Sequence, residues 1–293
     1  MYEWVQAGAR SYYIDCPAKI GVFIAGESDV FLIDSGSDKD AGKKVKRILD
    51  GRGLRLSGIL NTHSHADHIG ANAYLQGRTN CPVFAGAIEG DFVRHPILEP
   101  ALLYGGFPCK PLRHKFLLAQ ESVVRDFSDP GFPQEVEVIP LPGHSFDMAG
   151  FRTPDGTAFV GDCLSSRETL DKYGVPFIYD VGAYLATLDR VEAMEAALFV
   201  PSHAEATADI TPLARYNRSR VLEIADRLLD ICKEPIGTEE VLRQIFLCYH
   251  LTMNFQQYAL VGSTVRSYLS WLSDSGRITA AFEDQRLLWR AAS

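Results

Sequence analysis

The sequence has no apolar run long enough to cross a membrane, since none approaches the ~18 uninterrupted apolar residues that a spanning helix needs. Its six cysteines are scattered and form no CxxC pair, so we expect no paired disulfides. The N-terminal stretch MYEWVQAGARSYYID lacks the basic segment and the following apolar segment of a secretory signal peptide. These absences predict a protein of the reducing cytoplasm that has no membrane partner.

The sequence also has fewer basic residues (29) than acidic residues (37). The net charge at pH 7 is −8, which disfavours nucleic acid as the main partner because phosphate binding favours a basic surface. With 293 residues, of which 46% are hydrophobic and 23% charged, the chain can bury a large core and is not disordered. It contains neither a low-complexity linker nor an internal repeat. We therefore expect a globular protein with one sizeable domain and a smaller one.

Up to residue 210 the sequence alternates strand and helix patterns. SYYIDC, KIGVFIAG and DVFLIDSG predict three successive strands of an antiparallel meander, and DKDAGKKVKRILDGRG predicts a helix closed by Gly51 and Gly53. Further β-rich runs are LSGILNTH, CPVFAG, VEVIPLPGH, TAFVGDCL and AALFVPSHAE. Several of these runs end in polar residues, which is how α/β enzymes place their sites. We predict an α/β catalytic domain over residues 1–210.

Residues 211–293 have a different pattern. TPLARYNRSRVLEIADRLLDIC, GTEEVLRQIFLCYHL and ALVGSTVRSYLSWLSDSG predict three helices, the first with a proline in its first turn. RITAAFEDQRLLWRA predicts a hairpin that turns near Glu283 and Asp284. This succession predicts a helical, winged-helix-like domain over residues 211–293. Since its third helix offers few cations for a phosphate backbone, we expect it to pack against the catalytic domain or a second subunit rather than on DNA.

One short string concentrates metal-ligand side chains. NTHSHADHIG places His63, His65, Asp67 and His68 within six positions, although the chain has only eight histidines. His63 and His65 alternate, so both imidazoles face one side of an extended strand end, and the other two can approach from the following turn. Groups this close repel each other unless a cation lies between them. Imidazole and carboxylate ligands without a thiolate suit Zn²⁺, Fe or Mn²⁺.

Three more ligand types each follow a β-rich run: His144 in LPGHSFDMAG, Asp162 in FVGDCL and His203 in FVPSHAE. Together with the HxHxDH string, these residues and their order resemble the metallo-β-lactamase superfamily over residues 10–210. Asp34 in FLIDSG matches the early structural aspartate of that superfamily. The resemblance implies an αββα sandwich.

The resemblance also implies the role of each ligand. The first metal ion would be held by His63, His65 and His144, the second by Asp67, His68 and His203, and both by a bridging Asp162. Seven ligands are too many for one tetrahedral ion and suit two divalent ions that share a carboxylate and a water. Zinc is the first expectation, and manganese and iron are alternatives. Asp67 is assigned to catalysis as well as to metal binding.

The function that follows is hydrolysis of an ester-type bond by a metal-bridging hydroxide. Class B1 lactamases carry a cysteine at the ligand position where this sequence has Asp162, and its GD string resembles the glyoxalase II and general hydrolase branch. The pattern beyond residue 210 resembles the lactamase-β-2-like proteins. Because the charge balance is acidic, a small-molecule thioester or ester is the favoured substrate.

The remaining histidines and one cysteine are not expected to bind metal. His95, His114 and His250 lie outside the ligand motifs, and we expect His250 in a C-terminal helix. Cys163 follows Asp162 on a strand and therefore faces the opposite side, where a packed thiol is expected.

The segment DFVRHPILEPALLYGGFPCKPLRHKFLLAQ shows no clear period. In the superfamily such a segment forms the rim or lid of the active site. Bases outnumber acids between Asp91 and Lys115, which fits an anionic substrate and equally an ordinary solvated surface. The sequence leaves a homodimer open.

Other functions remain as alternatives. A phosphodiesterase or ribonuclease of the same fold is the second choice. A persulfide dioxygenase would use the same string to hold a single iron with two histidines and a carboxylate. Flavodiiron proteins are disfavoured by His65 and by the lack of a glycine-rich flavin loop, and a non-catalytic DNA-binding protein would have no need for seven converging ligands.

Overall fold

The computed structural model describes residues 2–292, in which two β-sheets lie between layers of helices. The first sheet has seven strands in chain order: β1 (Glu3–Gln6), β2 (Ser11–Asp15), β3 (Ile20–Ile24), β4 (Asp29–Ile33), β5 (Arg55–Leu60), β6 (Val83–Ala85) and β7 (Arg125–Asp126). β1 to β4 pair antiparallel, and the pairs from β4 to β7 are parallel. The meander predicted over β2 to β4 is confirmed, whereas β1 was not predicted.

Helices that follow the strands of this sheet are α1 (Lys39–Asp50), α2 (Ala66–Ile69), α3 (Asn72–Thr79), α4 (Ala87–Arg94) and α5 (Leu98–Tyr104), with a 3-10 turn at Lys110–Leu112. The predicted helix α1 starts at Asp38, whose side chain accepts hydrogen bonds from the first-turn amides, and ends at Gly51. Val45 and Leu49 of α1 and Leu75 of α3 pack on the outer face of the sheet. Burial of this stripe holds the first helical layer in place.

The second sheet has four strands in the order β11-β10-β9-β8. They are β8 (Glu137–Pro140), β9 (Ala149–Arg152), β10 (Thr157–Ser165) and β11 (Leu198–His203), and helices α6 (Arg167–Tyr173) and α7 (Val181–Ala193) connect β10 to β11. β10 and β11 are parallel, so the chain must cross over between them, and α7 covers the outer face on the way.

Large side chains from the two sheets meet between them. Phe31 and Phe84 of the first sheet pack in one cluster with Phe151 and Phe159 of the second. Gly21 provides room for this packing, since a Cβ atom there would lie 2.7 Å from the Phe159 ring. The layering is the αββα sandwich that the resemblance implied, and that prediction is confirmed.

The C-terminal region contains α8 (Thr211–Ile231), β12 (Ile236–Gly237), α9 (Thr238–Cys248), α10 (Phe255–Asp274), β13 (Ile278–Glu283) and β14 (Arg286–Ala291). The three predicted helices and the predicted hairpin are all present. The hairpin turns at Asp284 and Gln285, both with positive φ, which matches a two-residue turn between twisted strands. β12 adds a third antiparallel strand beside β14. The winged-helix assignment itself stays a prediction.

One hydrophobic cluster runs from the second sheet into this C-terminal region. It includes Cys163 of β10, Leu188 of α7, Ile224 of α8, Ile245 of α9 and Tyr268 of α10. The outer helical layer is therefore built partly from residues beyond position 210. The predicted domain boundary at that position stays a prediction. None of the helices in residues 2–292 is both long and apolar enough to span a membrane.

Candidate metal centre

All seven predicted ligands lie at or near strand ends of the two sheets, at one edge of the sandwich. His63 and His65 follow β5, and Asp67 and His68 lie in α2 directly after them. The others come from the second sheet: His144 in the β8–β9 loop, Asp162 in β10 and His203 at the end of β11. The fold thus brings together residues that are up to 140 positions apart (203 − 63).

A first triad consists of three histidines. The Nδ1 atom of His65 lies 3.0 Å from Nε2 of His63 and 3.1 Å from Nε2 of His144. All three ring nitrogens lie within 4.8 Å of one another. This spacing allows one ion to contact all three at the distance of about 2.0–2.1 Å that zinc adopts with imidazole.

A second triad contains Asp67, His68 and His203. The Oδ2 atom of Asp67 lies 3.2 Å from Nε2 of His203 and 3.7 Å from Nε2 of His68. The side chain of Asp67 is 40% exposed, whereas His68 is fully buried. Asp67 therefore forms the open side of this triad.

Asp162 lies between the two triads. Its carboxylate oxygens are 4.0 Å and 3.7 Å from Nε2 of His63 and His144 on one side. On the other side they are 3.3 Å and 3.4 Å from Nε2 of His68 and His203. The Oδ2 atom lies near ligands of both triads and the Oδ1 atom lies near His68, so the carboxylate is placed as a bridging ligand would be.

Hydrogen bonds away from the centre fix four of the five imidazoles. Nδ1 of His144 donates to the Phe177 carbonyl at 3.1 Å, and Nδ1 of His203 donates to the Pro17 carbonyl at 2.9 Å. Since a carbonyl oxygen only accepts, these Nδ1 atoms carry the proton and leave Nε2 free to bind a cation.

Asp34 orients the imidazoles of His68 and His63, which also direct their Nε2 atoms towards the centre. Its Oδ2 atom accepts from Nδ1 of His68 and from the Thr62 hydroxyl, each at 2.8 Å. Because the Thr62 hydroxyl donates to Asp34, its oxygen is free to accept from Nδ1 of His63 at 2.9 Å. Asp34 therefore orients one ligand of each triad. Its φ of 63° lies in the left-handed region, which aspartate and asparagine adopt more readily than most other residues. The structural role expected for Asp34 agrees with these contacts.

The two triads differ in their protonation. Burial lowers the pKa of His65 to about 3 and, together with neighbouring imidazoles, holds the pKa of His63 and of His144 below the ordinary value. The charge of Asp162 raises the pKa of His203 to about 10. Burial opposes ionisation of Asp162, but the charges of His203 and His68 hold its pKa well below the ordinary value. Without a metal ion, the first triad is thus neutral and the second is an ion-paired network.

The polar atoms at the centre fit a cation. Within residues 2–292, the buried Nε2 of His68 and Oδ1 of Asp162 have no hydrogen-bond partner, although they lie 3.3 Å apart. Buried polar atoms without a partner are rare, and a metal ion would satisfy both. Imidazole and carboxylate donors without a thiolate suit zinc or another divalent transition metal.

The other candidates lie outside this cluster. His95 and His250 are exposed and His114 is half-buried, and none of them joins a metal-ligand group among the described residues. The prediction of His250 in a helix was wrong: it follows α9 in a turn with a φ of 54°, because the helix has already ended. Cys163 is fully buried in the core cluster and burial raises the pKa of its thiol, which agrees with a packed residue.

The segment after β6 differs from expectation because it contains helices α4 and α5, although no period was apparent in the sequence. Both helices are short, which leaves little length over which a period could show. Its excess of cations is also partly neutralised: Arg94 pairs with Asp91 at 2.9 Å, and Lys115 pairs with Asp38 at 3.0 Å. The anionic-substrate prediction is therefore not strengthened.

Two buried carboxyl groups near the centre were missed. Glu89 of α4 is fully buried and accepts a hydrogen bond of 2.8 Å from the Ser64 amide, between two ligands. Glu99 of α5 is 8% exposed. Burial raises the pKa of both groups. No spacing pattern marks either residue, and only an acid within a partly apolar helix could have drawn attention to them.

Comparison with known proteins agrees with this geometry. A family model described as the metallo-beta-lactamase superfamily matches residues 21–203, more than half of the chain. A hydroxyacylglutathione hydrolase of Methylococcus capsulatus is 34% identical over 121 residues, which cover 41% of this chain and 38% of that protein. The chain thus spans about two fifths of the length of that relative.

Two solved structures resemble the whole chain. A beta-lactamase domain protein from Burkholderia ambifaria has a TM-score of 0.75 at 18% identity, over 99% of this chain and 94% of that one. A metallo-beta-lactamase family protein from Thermus thermophilus has a TM-score of 0.72 at 19% identity, over 97% and 99% of the two chains. At these identities the likeness concerns the fold, and it includes the C-terminal region. With the family model matched over residues 21–203 and the ligand motifs gathered at one edge of an αββα sandwich, the chain belongs to the metallo-beta-lactamase superfamily.

Proposed function

We propose that this protein is a metal-dependent hydrolase that uses two divalent ions, zinc foremost, to cleave a small-molecule thioester or ester. The observation that carries the proposal is the position of Asp162 between two triads of ligand atoms. A mononuclear iron site with two histidines and one carboxylate would leave about half of these ligands without a role. The name of the similar hydroxyacylglutathione hydrolase supports a thioester substrate.

The residues of the chain have distinct roles in this proposal. His63, His65 and His144 would hold one ion, Asp67, His68 and His203 the other, and Asp162 both. Two ions bound there would lower the pKa of a shared water towards ~7 and polarise the carbonyl of the substrate. Asp67, as the most exposed member of its triad, is placed to accept a hydrogen bond from water that enters the centre. Asp34, Thr62 and the Phe177 and Pro17 carbonyls keep the imidazoles aligned.

The first test is elemental analysis of protein purified without added metal, combined with hydrolysis of a thioester and a phosphodiester panel. Two zinc or manganese ions per chain and thioester cleavage are expected. Asp162→Ala should lower both the metal content and the rate, the rate by several orders of magnitude, because both triads lose a shared ligand. His95→Ala, an exposed histidine of the same chain, is the matched control and should change neither.

Three outcomes would contradict the proposal. A single iron per chain without hydrolysis would favour an oxygenase. Preferential cleavage of phosphodiesters would favour a nuclease or phosphodiesterase. Damage by His95→Ala equal to that of Asp162→Ala would show that the ligand assignment is wrong.

A further inference from the structure

Strand β13 lies at the edge of the C-terminal sheet, whose strand order is β12-β14-β13. Its inner side pairs with β14 from Ile278 to Glu283, and no strand within residues 2–292 pairs with its outer side. Five of its six residues are exposed, and the apolar Phe282 near its end is 81% exposed. A free edge of this kind can pair with another chain, because its outward N–H and C=O groups have no strand to bond to.

The other sheet edges are shorter or covered. β1 and β8 have four residues each, and β7 and β12 have two. β8 also ends at Pro140, which lacks the N–H group that a further strand would need. The outer side of β11 is occupied by Thr207, which forms a bridge with Phe199. β13 contains no proline and carries a charge only at its last residue, so it lacks the features that usually block edge pairing.

Alternate residues of β13 direct their backbone groups to the free edge. The Arg277 carbonyl, just before the strand, accepts a hydrogen bond of 2.8 Å from the amide of Ala292, just after β14. Because the direction alternates along an antiparallel ladder, odd-numbered residues face β14 and even-numbered residues face outwards. Ile278, Ala280 and Phe282 therefore offer their N–H and C=O groups to an incoming strand.

These three residues favour a symmetric partner strand. If a second copy pairs antiparallel with Ala280 opposite itself, residues equally distant from Ala280 in the two copies lie opposite each other. Phe282 then lies opposite Ile278 of the partner subunit, so all three outward-facing residues of each copy form hydrogen bonds across the new pair. The same register removes part of the exposed Phe282 ring from water.

The charges at the two ends of the edge fit this register. Arg277 directly precedes the strand, and the exposed Glu283 ends it. Both lie three residues from Ala280, so each Arg277 lies opposite Glu283 of the partner subunit. Arg277 stacks over the Trp271 ring, and no carboxylate within the described residues 2–292 pairs with it. Opposite charges in directly facing positions stabilise an antiparallel pair, and like charges destabilise it.

We propose that β13 is a homodimer interface, at which two copies of this chain pair edge to edge into one continuous antiparallel sheet. The proposal is independent of the reaction that the metal centre catalyses. A self-complementary patch on a two-fold axis is the commonest form of protein homodimer. Duplex DNA is disfavoured as the occupant of this edge, since Glu283 and Asp284 place negative charge at the tip of the hairpin.

The first test is sedimentation velocity of the full-length protein over a range of concentrations. A six-residue edge is small beside the roughly 1,200–2,000 Å² that stable interfaces bury, so we expect a reversible dimer with a Kd of about 10 µM. A protein that stays monomeric up to about thirty times that concentration would overturn the proposal.

Charge reversal tests the register. Arg277→Glu and Glu283→Arg should each weaken the dimer about tenfold or more, because each substitution replaces two attractive pairs by two repulsive ones. An equimolar mixture of the two single variants should form a heterodimer of nearly the original affinity, since each facing pair is again of opposite charge. The double variant Arg277→Glu/Glu283→Arg should dimerise for the same reason. This recovery would not occur if the single variants were merely misfolded.

A backbone substitution tests the edge itself. Ala280→Pro removes an outward N–H group on the two-fold axis without removing a bond to β14, so it should leave a folded monomer. Lys233→Glu is the control for charge reversal, because Lys233 precedes β12 at the opposite edge of the same sheet and should not affect dimerisation. Circular dichroism monitors the fold of every variant.

Three results would contradict the interface. An unchanged Kd in both single charge variants, or in a folded Ala280→Pro variant, would show that any dimer forms elsewhere. Single variants that weaken the dimer but do not associate when mixed would show that the register is wrong. A monomer that binds labelled duplex DNA less tightly after Arg277→Glu would assign the edge to nucleic acid instead.

Discussion

Asp34 connects the two triads at the scale of single side chains. It accepts a hydrogen bond from His68 directly and reaches His63 through the Thr62 hydroxyl. Such partners fix the tautomer and orientation of a metal-binding imidazole, and their loss typically lowers metal affinity by about 10- to 100-fold. One carboxylate thus affects both halves of the centre without being a ligand.

Asp34→Asn is therefore expected to weaken the binding of both metal ions by about 10- to 100-fold. Asparagine tolerates the positive φ at this position, so the backbone should persist. The measurement is competition with a chromophoric chelator, with the secondary structure monitored by circular dichroism. Asp29→Asn, at the start of the strand β4 that precedes Asp34 and paired with Arg55 on the surface, should leave affinity unchanged. A loss confined to one ion would show that Asp34 serves only one triad.

At the scale of secondary-structure elements, a contact between α10 and the loop before α7 affects how the imidazole of His144 is held. The loop before α7 runs between the centre and α10, where the Thr264 hydroxyl accepts a hydrogen bond of 3.3 Å from the Ile178 amide. The preceding Phe177 carbonyl accepts from His144, and the amides of Tyr179 and Asp180 donate to the Gly143 carbonyl. The C-terminal helix α10 thus contacts the loop that orients a ligand of the first triad.

Thr264→Val should lower the affinity of the first triad for metal several-fold and destabilise the fold by about 1 kcal/mol, because the buried Ile178 amide loses its acceptor. Thr264→Ser keeps the hydroxyl and should restore both. Metal titration followed by chelator competition measures the first effect, and urea unfolding measures the second. Ser267→Ala, one helical turn further along α10, is the control. Equal metal affinity in Thr264→Val and the original protein would show that α10 plays no part in orienting His144.

A second contact between elements links the two sheets. Asp155, in the β9–β10 turn, accepts hydrogen bonds from the Arg10 amide and the Ser11 hydroxyl before and within β2. Burial opposes ionisation, but these bonds and those from Thr153 lower the pKa of Asp155 to about 2. A folded-state pKa below the unfolded value of 3.8 means that this stabilisation is present above pH 4 and is lost as the pH falls through 2.

Asp155→Asn should therefore reduce the free energy of unfolding at pH 7 by on the order of 1 kcal/mol, after allowance for solvent screening. The difference from the original protein should shrink as the pH is lowered from 4 towards 2. Urea unfolding at several pH values measures it, with the exposed Glu27→Gln as a control of the same charge change. A difference that does not depend on pH would assign the effect to shape rather than to charge.

At the scale of the whole molecule, the C-terminal region supplies part of the core. Ile224 of α8 and Leu269 of α10 belong to the same buried cluster as Val160 of β10. Two cations within and just after α10 are engaged as well: Arg266 lies 3.7 Å from Glu239, and Arg277 stacks over the Trp271 ring. Both observations favour a region that packs on the catalytic layers over one that reads DNA.

A chain truncated after Ala208 is therefore expected to aggregate or to lose substrate affinity, because the outer face of the second sheet loses the part of its cover that lies beyond residue 210. The full-length protein should show no salt-dependent binding to duplex DNA in fluorescence anisotropy at low and high salt. A monomeric, fully active truncated chain would contradict the first expectation. Salt-sensitive, sequence-specific duplex binding by the full-length protein would contradict the second.

Local pattern determined much of this protein. Short β-rich runs bounded by turn residues predicted the strands from β2 to β4 and the strands that carry ligands. The HxHxDH string identified four of the seven site residues, because these ligand types lie next to one another in the sequence. The other three followed from residue type at the ends of β-rich runs and from the resemblance. Short-range information sufficed because strand ends of an α/β sandwich converge at one edge.

Only the tertiary structure decided the rest, because it depends on contacts between residues distant in the chain. Local spacing does not reveal that Asp162 lies near four imidazoles or that Asp34 contacts His63 through the Thr62 hydroxyl. It also does not reveal that Glu99 is buried beside His65. Helices α4 and α5 were missed for a related reason: α4 packs on the first sheet through Val93 and α5 packs on α10 through Leu103, and neither has a long amphipathic period. Sequence determined which groups can bind metal, and three-dimensional packing decided how they are oriented, protonated and surrounded.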